Sequence, residues 1–128
     1  MRPKHILMID GEPMVRDVVT QILARPGYRI DAPAVENHGS ADIAWQNAVT
    51  GRYDILLMDL RLPTIDSFAL LDCLAAIDSP TLPIALAAFL PEMIRADLRS
   101  HGCRHFIEKP FRSADLIQEV DSCLCLPA

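Results

Sequence analysis

Apolar and polar positions along this chain follow two alternating rhythms. Unbroken apolar runs appear at Ile6-Leu7-Met8-Ile9 after His5, at Ile55-Leu56-Leu57-Met58 after Tyr53-Asp54, and at Ile84-Ala85-Leu86-Ala87-Ala88. Short runs without polar alternation predict strands covered on both faces, the habit of a parallel sheet. Tyr28 to Ala32 alternates and reads as a strand nearer an edge, and Cys103 to Ile107 as a fifth strand. Between the strands apolar residues recur at helical spacing. Val15, Val18, Val19, Ile22 and Leu23 share the face of a helix opened by Pro13 and stopped by Pro26-Gly27. Ala41, Ala44, Trp45 and Ala48 share another, with Ser40 placed to cap it, Gly51 to end it and Trp45 as a core anchor. Phe68, Leu71, Leu74 and Ala75 form a third face, and Met93, Ile94 and Leu98 a fourth behind Pro91. A fifth, with Leu116, Ile117, Val120 and Leu124, is capped by Ser113 and leads to Leu126-Pro127-Ala128.

Strand and helix thus alternate five times with short connections. That order predicts an α/β domain with a five-stranded parallel sheet, right-handed crossovers and helices on both faces. No repeat or low-complexity linker interrupts it, so residues 1–128 are expected to form a single domain, with no room for an output domain in this chain. A length of 128 residues suffices for one well-buried core.

Composition narrows the class. Hydrophobic residues make up 51% of the chain, no stretch is long enough to span a bilayer, and the apolar run after Met1-Arg2-Pro3-Lys4 is too short for a signal peptide. A cytoplasmic location is the expectation. Cys73, Cys103, Cys123 and Cys125 form no CxxC pair and have no zinc-like spacing to histidine, so free thiols are expected. A net charge of -5 without a Lys/Arg cluster argues against a direct nucleic-acid surface.

The chemistry lies where strands stop. Two of the five expected strands end on an acid, Asp10 after the first and Asp59 after the third, and Lys109 follows the fifth. Taken singly, Asp59 reads equally well as a turn cap. In a doubly wound sheet, however, all strand C-termini lie along one edge, so these three side chains are placed to meet. A pair of acids suits a hard divalent cation such as Mg2+. An aspartate can also accept a phosphoryl group covalently, and lysine would balance the charge.

On these residues the sequence resembles the receiver domain of two-component response regulators over nearly its full length. The matching words are Ile6-Leu7-Met8-Ile9-Asp10 with Glu12-Pro13, then Tyr53 to Asp59 with Pro63 and Asp66, then Leu82-Pro83-Ile84, then Phe106-Ile107-Glu108-Lys109-Pro110-Phe111. The resemblance implies a flavodoxin-like (βα)5 fold. It implies that Asp59 accepts a phosphoryl group from a histidine kinase or histidine phosphotransfer protein, with Lys109 touching that group and a cis Lys109-Pro110 bond. Asp10, Asp59 and the backbone carbonyl of Arg61 are the implied Mg2+ ligands. The domain would act as a signalling phosphoprotein rather than an enzyme, beyond slow self-dephosphorylation. A downstream effector protein, or a second copy, would dock on the fourth helix, fifth strand and fifth helix, where Arg95, Arg99, Arg104 and Arg112 fall.

The chain departs from the family pattern at named positions. Gly11 stands where a second acid is usual; Glu12 is either its replacement or a charge suited to a helix's first turn. Ala88 stands where a Thr or Ser hydroxyl would bind the phosphoryl group, and Phe106 occupies the switching aromatic position, where it is expected to stay packed inward. Thr64 and Ser67 replace common glycines and are expected to stiffen the loop after Asp59. A degenerate receiver that binds partners without phosphorylation is the alternative. A small phosphatase is a remote one, because no cap domain is present and Asp59 would be unexplained. A flavin or nucleotide binder would need a Gly-rich phosphate cradle after the first strand, and none is there.

Overall fold

The structure, a computed structural model, describes residues 3–124. Five strands, β1 (His5–Ile9), β2 (Arg29–Asp31), β3 (Ile55–Asp59), β4 (Leu82–Ala87) and β5 (His105–Glu108), alternate with five helices. These are α1 (Pro13–Ala24), α2 (His38–Thr50), α3 (Ser67–Ala76), α4 (Glu92–Ser100) and α5 (Ser113–Leu124). All strand pairs are parallel and their order is β2-β1-β3-β4-β5, which puts β3 in the middle. The α/β domain expected from the alternation, with the flavodoxin-like (βα)5 arrangement that the resemblance implies, is the one formed.

Side-chain alternation along the strands explains the two cores. Leu7, Ile9, Leu56, Met58, Ala85 and Ala87 face α2, α3 and α4, whereas Ile6, Met8, Ile55, Leu57, Ile84 and Leu86 face α1 and α5. Every residue of β3 is buried, as an unbroken apolar run demands.

Local differences from the sequence expectations have identifiable causes. Asn37, not Ser40, caps α2: its side-chain oxygen accepts from the Ser40 N–H while the Ser40 hydroxyl oxygen accepts from the Asn37 N–H, a reciprocal box that starts the helix at His38. Ser113 is the first residue of α5 rather than its cap. Trp45 is half-buried and packs against the core, as expected of an anchor. Val18 and Ala75 are exposed because each lies about 100° round its helix from a buried neighbour, Val19 and Leu74, at the margin of the apolar stripe. Met93 is 83% exposed, and Leu98 is the one buried residue of the short, charged α4. β4 begins at Leu82 and ends at Ala87, because its pairing with β3 runs from Leu82 opposite Ile55. β5 runs from His105 to Glu108, two residues later in its start than its apolar run suggested.

Cys73, Cys103 and Cys123 are free thiols; burial pushes Cys103 and Cys123 each up to about 11, which keeps them protonated and inert. Cys125 and Leu126-Pro127-Ala128 lie outside the described residues.

Candidate functional site

Asp10 follows β1 directly and is fully buried. A carboxylate there needs partners for its oxygens. Oδ1 accepts from the Glu12 N–H at 2.8 Å, and Oδ2 accepts from Lys109 Nζ at 2.8 Å. Arg16, on the first turns of α1, donates to the Asp10 carbonyl at 2.8 Å and to Glu36 at 2.7 Å, tying the acidic turn to the β2–α2 connection. Burial pushes Asp10 above the usual carboxylate range despite the opposing pull of Lys109.

Asp59 is the last residue of β3 and only 6% exposed. Its Oδ1 accepts from the Arg61 N–H at 2.7 Å and its Oδ2 from Lys109 Nζ at 2.8 Å. Its main-chain carbonyl accepts from the buried Ser67 hydroxyl at 3.0 Å. Thr64, in the same loop, donates to the Val35 carbonyl at 2.7 Å. Each hydroxyl thus ties the loop to a backbone carbonyl, a contact that glycine could not make.

Lys109 bridges the two acids, with Glu12 Oε1 3.7 Å away. Burial works against its charge, but the hydrogen bonds to Asp10 and Asp59 outweigh that and hold its pKa above the usual lysine value. The Lys109-Pro110 bond is cis. Asp10, Glu12 and Asp59 each offer an oxygen within 4.8 Å of the others, a donor set of the hardness that suits Mg2+.

A cavity of about 310 Å³ opens over these groups, lined by Gly11, Glu12, Asp59, Arg61, Pro63, Ala88 and Lys109. A larger hollow of about 420 Å³ between β5 and α5 holds none of the three converging charges. Every site residue singled out in the sequence except Phe106 and Asp10 lines the smaller cavity, and Asp10 lies beneath it, bonded to Lys109. Ala88 is exposed on its wall and carries no hydroxyl. Phe106 is half-buried against the α2–α4 core, with the guanidinium carbons of Arg95 and Arg99 5.2 and 5.7 Å from its ring centroid. Arg16 and Glu108 went unnoticed as contributors, and so did the bond from the Ser67 hydroxyl to the Asp59 carbonyl. Only Arg16 had a signal, one helical turn after Glu12 on the same side of α1.

A parallel doubly wound sheet that brings two buried carboxylates and a lysine to its carboxyl edge defines a class of α/β domain with a charged ligand-binding position there. The chain belongs to the response regulator receiver domain family, whose model matches residues 6–121. It is 27% identical over 120 residues to the transcriptional activator protein PfeR of Pseudomonas aeruginosa, covering 94% of this chain and 37% of that protein. It is 23% identical over 122 residues to the chemotaxis protein CheY of Treponema pallidum, covering 95% of this chain and 83% of that one. Among solved structures, a CheY-like response regulator receiver domain protein from Methanospirillum hungatei superposes with a TM-score of 0.82 at 21% identity, over 96% of this chain and 94% of the other. The receiver family serves phosphorelay signalling, and this chain is one of its receiver domains. Among the described residues no helix is long and apolar enough to cross a membrane.

Proposed function

We propose that Asp59 is the phosphoryl acceptor of this receiver, with a histidine kinase or histidine phosphotransfer protein as donor. One observation carries the reading: Asp59 is buried at the floor of an open cavity with Lys109 on one carboxylate oxygen and a backbone N–H on the other. Such a carboxylate is held still and faces a space large enough for a phosphoryl group. In the transfer, an Asp59 oxygen forms a bond to phosphorus as the bond from phosphorus to the donor's imidazole nitrogen breaks. The imidazole leaves with that electron pair and takes up a proton. Lys109 stands where the charge on the transferred oxygens develops, and phosphoryl transfer asks mainly for such positioning and neutralisation.

Mg2+ fits the donor set, and Asp10, Asp59, the Arg61 carbonyl and, in the absence of an acid at Gly11, Glu12 are the groups that would hold it. When bound it supplies further neutralisation of phosphoryl charge. Partners beyond the donor are a downstream effector and a second copy of the chain, through α4, β5 and α5. The setting is the cytoplasm, and the domain signals rather than turning over a substrate.

The test is incubation with acetyl phosphate and Mg2+ followed by intact mass. One added phosphoryl group on the wild type and none on Asp59→Asn is the expected outcome. No adduct on the wild type overturns the proposal, and an adduct that survives in Asp59→Asn moves it to another residue.

A further inference from the structure

The corner of the sheet edge formed by β4 and β5 carries a closed set of contacts that phosphoryl acceptance does not use. Glu108 ends β5 and immediately precedes Lys109. Its Oε2 accepts from the Leu90 N–H at 3.1 Å, and its Oε1 accepts from Arg95 Nη2 at 3.2 Å. Arg95 Nε then donates back to the Leu90 carbonyl at 2.7 Å. The ring joins β5, the β4–α4 connection and α4. Its guanidinium also covers Phe106, with Arg99, held by Glu92, beside it.

The position of Glu108 in the chain gives the ring its meaning. Successive side chains of an extended segment point to opposite sides. Lys109 accordingly reaches the two acids while Glu108 reaches Leu90 and Arg95. The Lys109 N–H also bonds the Ala87 carbonyl at 2.8 Å, extending the ladder to the last residue of β4. A displacement of Lys109 is therefore passed through one peptide unit to Glu108. The β4 end offers no competing handle, because Ala88 has no polar side-chain atom to bind a phosphoryl oxygen.

We propose that Glu108 is the positioning residue that carries the state of Asp59 to the α4–β5 surface. The inference rests on the phosphoacceptor reading of Asp59. A phosphoryl group on Asp59 puts new anionic oxygens within reach of Lys109 and draws its ammonium off Asp59 Oδ2. Glu108 moves with the shared backbone, its bonds to Leu90 and Arg95 re-form or break, and the arginine cover on Phe106 changes with them. The surface a partner would meet is thus altered without a hydroxyl at position 88.

The experiment is NMR of the whole chain with and without beryllium fluoride and Mg2+, a probe that mimics the acyl phosphate. Wild type, Glu108→Ala and Glu108→Gln are compared. In wild type, signals around Asp59 and Lys109 shift together with the Leu90 amide, the Arg95 Nε–H and the Phe106 ring. In Glu108→Ala the first group still shifts and the second no longer responds. Glu108→Gln keeps an acceptor for Leu90 but not the charge that holds Arg95, so the Leu90 response survives and the Arg95 response falls. A merely structural role would not split the responses in this way. Undiminished shifts at Leu90, Arg95 and Phe106 in Glu108→Ala overturn the relay while leaving phosphoryl acceptance standing. No shift at Asp59 and Lys109 in wild type overturns phosphoryl acceptance and the relay with it. Should Glu108→Ala fail to fold, Arg95→Gln opens the ring from its other side and is read by the same criteria.

Discussion

Two corners of one sheet edge are built on opposite terms. Where β1, β3 and β5 end, Asp10 is fully buried and Asp59 nearly so, and both oxygens of each carboxylate have a donor. Where β4 ends, Ala88 is exposed and carries no polar side-chain atom, and Phe89 beside it is 63% exposed. On the proposed reading the difference separates two tasks: the first corner holds the phosphoryl group, and the second, where Ala88 carries no hydroxyl, passes its state to the surface. Variants that blur or exaggerate the contrast test it.

Lys109→Met strikes the closed corner hardest. It leaves two buried carboxylates facing each other without a cation. Removing one partner of a fully buried pair costs 3–5 kcal/mol, and because solvent reaches this site the expected loss is about 2 kcal/mol at pH 7. The sign with pH follows. Without the lysine, repulsion and burial leave a carboxylate with a folded-state pKa raised further above its unfolded value. Its destabilising effect is full where it is ionised and fades as pH falls through that raised pKa. Urea denaturation should show the deficit shrinking from about pH 7 to about pH 5; a deficit that grows on acidification would remove the paired-charge account of this corner.

Ala88→Thr attacks the contrast from the other side by giving the open corner a hydroxyl. A hydrogen bond to a charged group contributes about 1.5–3 kcal/mol. Beryllium fluoride should bind at least about tenfold tighter to this variant. Titration by NMR checks it, and unchanged affinity would mean that the exposed wall lies too far from the phosphoryl position to take part.

Gly11→Asp probes whether the closed corner lacks its second acid for want of space. A Cβ at Gly11 meets nothing nearer than Leu62 Cδ2 at 3.6 Å, an ordinary contact, so the backbone accepts a side chain there. The missing acid is a matter of chemistry rather than packing. Added Mg2+ should bind about tenfold tighter to the variant by calorimetry. Equal affinity would show that Glu12 already fills the role.

The two corners also differ in how far they could be read from the chain. Asp10, Asp59 and Lys109 were legible because each ends or follows an apolar run, and the rule that parallel strands end on one edge brings them together across 50 and 99 residues. The buried β3 was legible for the same reason. Of the second corner only Ala88 and Phe106 were singled out, and its contacts were not. Glu108 reaches Leu90 across 18 residues, and Ser67 bonds a main-chain carbonyl, so neither contact leaves a period in the sequence. Side-chain bonds to the backbone depend on where loops pass, which hydrophobic patterning does not encode. The Asn37 cap was missed for a more local reason. Both members of a reciprocal box are cap-forming residue types, and Ser40 is its inner member.

The far end of α4 offers the smallest and most selective change. Glu108 reaches the helix near its start, and His101 holds its C-terminal end. His101 Nδ1 lies 2.6 Å from Asp72 on α3, Nε2 lies 3.6 Å from Asp97 on α4, and the ring meets Phe68 edge-on. The Asp72 hydrogen bond raises its pKa above the ordinary 6.5, with Asp97 and Asp66 adding to the effect, and a cation at a helix C-terminus is favourable in its own right. A histidine whose folded-state pKa is raised contributes its full stabilisation below the unfolded value of about 6.5 and loses it as pH rises through the folded one. The tie between α3 and α4 is therefore expected to slacken on the alkaline side. Histidine ring signals should give a midpoint for His101 above 6.5, and Asp72→Asn should lower it. The amides of the last turn of α4 should exchange faster with rising pH in wild type, beyond the intrinsic dependence, and lose that excess in His101→Gln. A midpoint at the ordinary value would leave α4 held from the Glu108 end alone, and the contrast between the two corners would then extend along the whole helix.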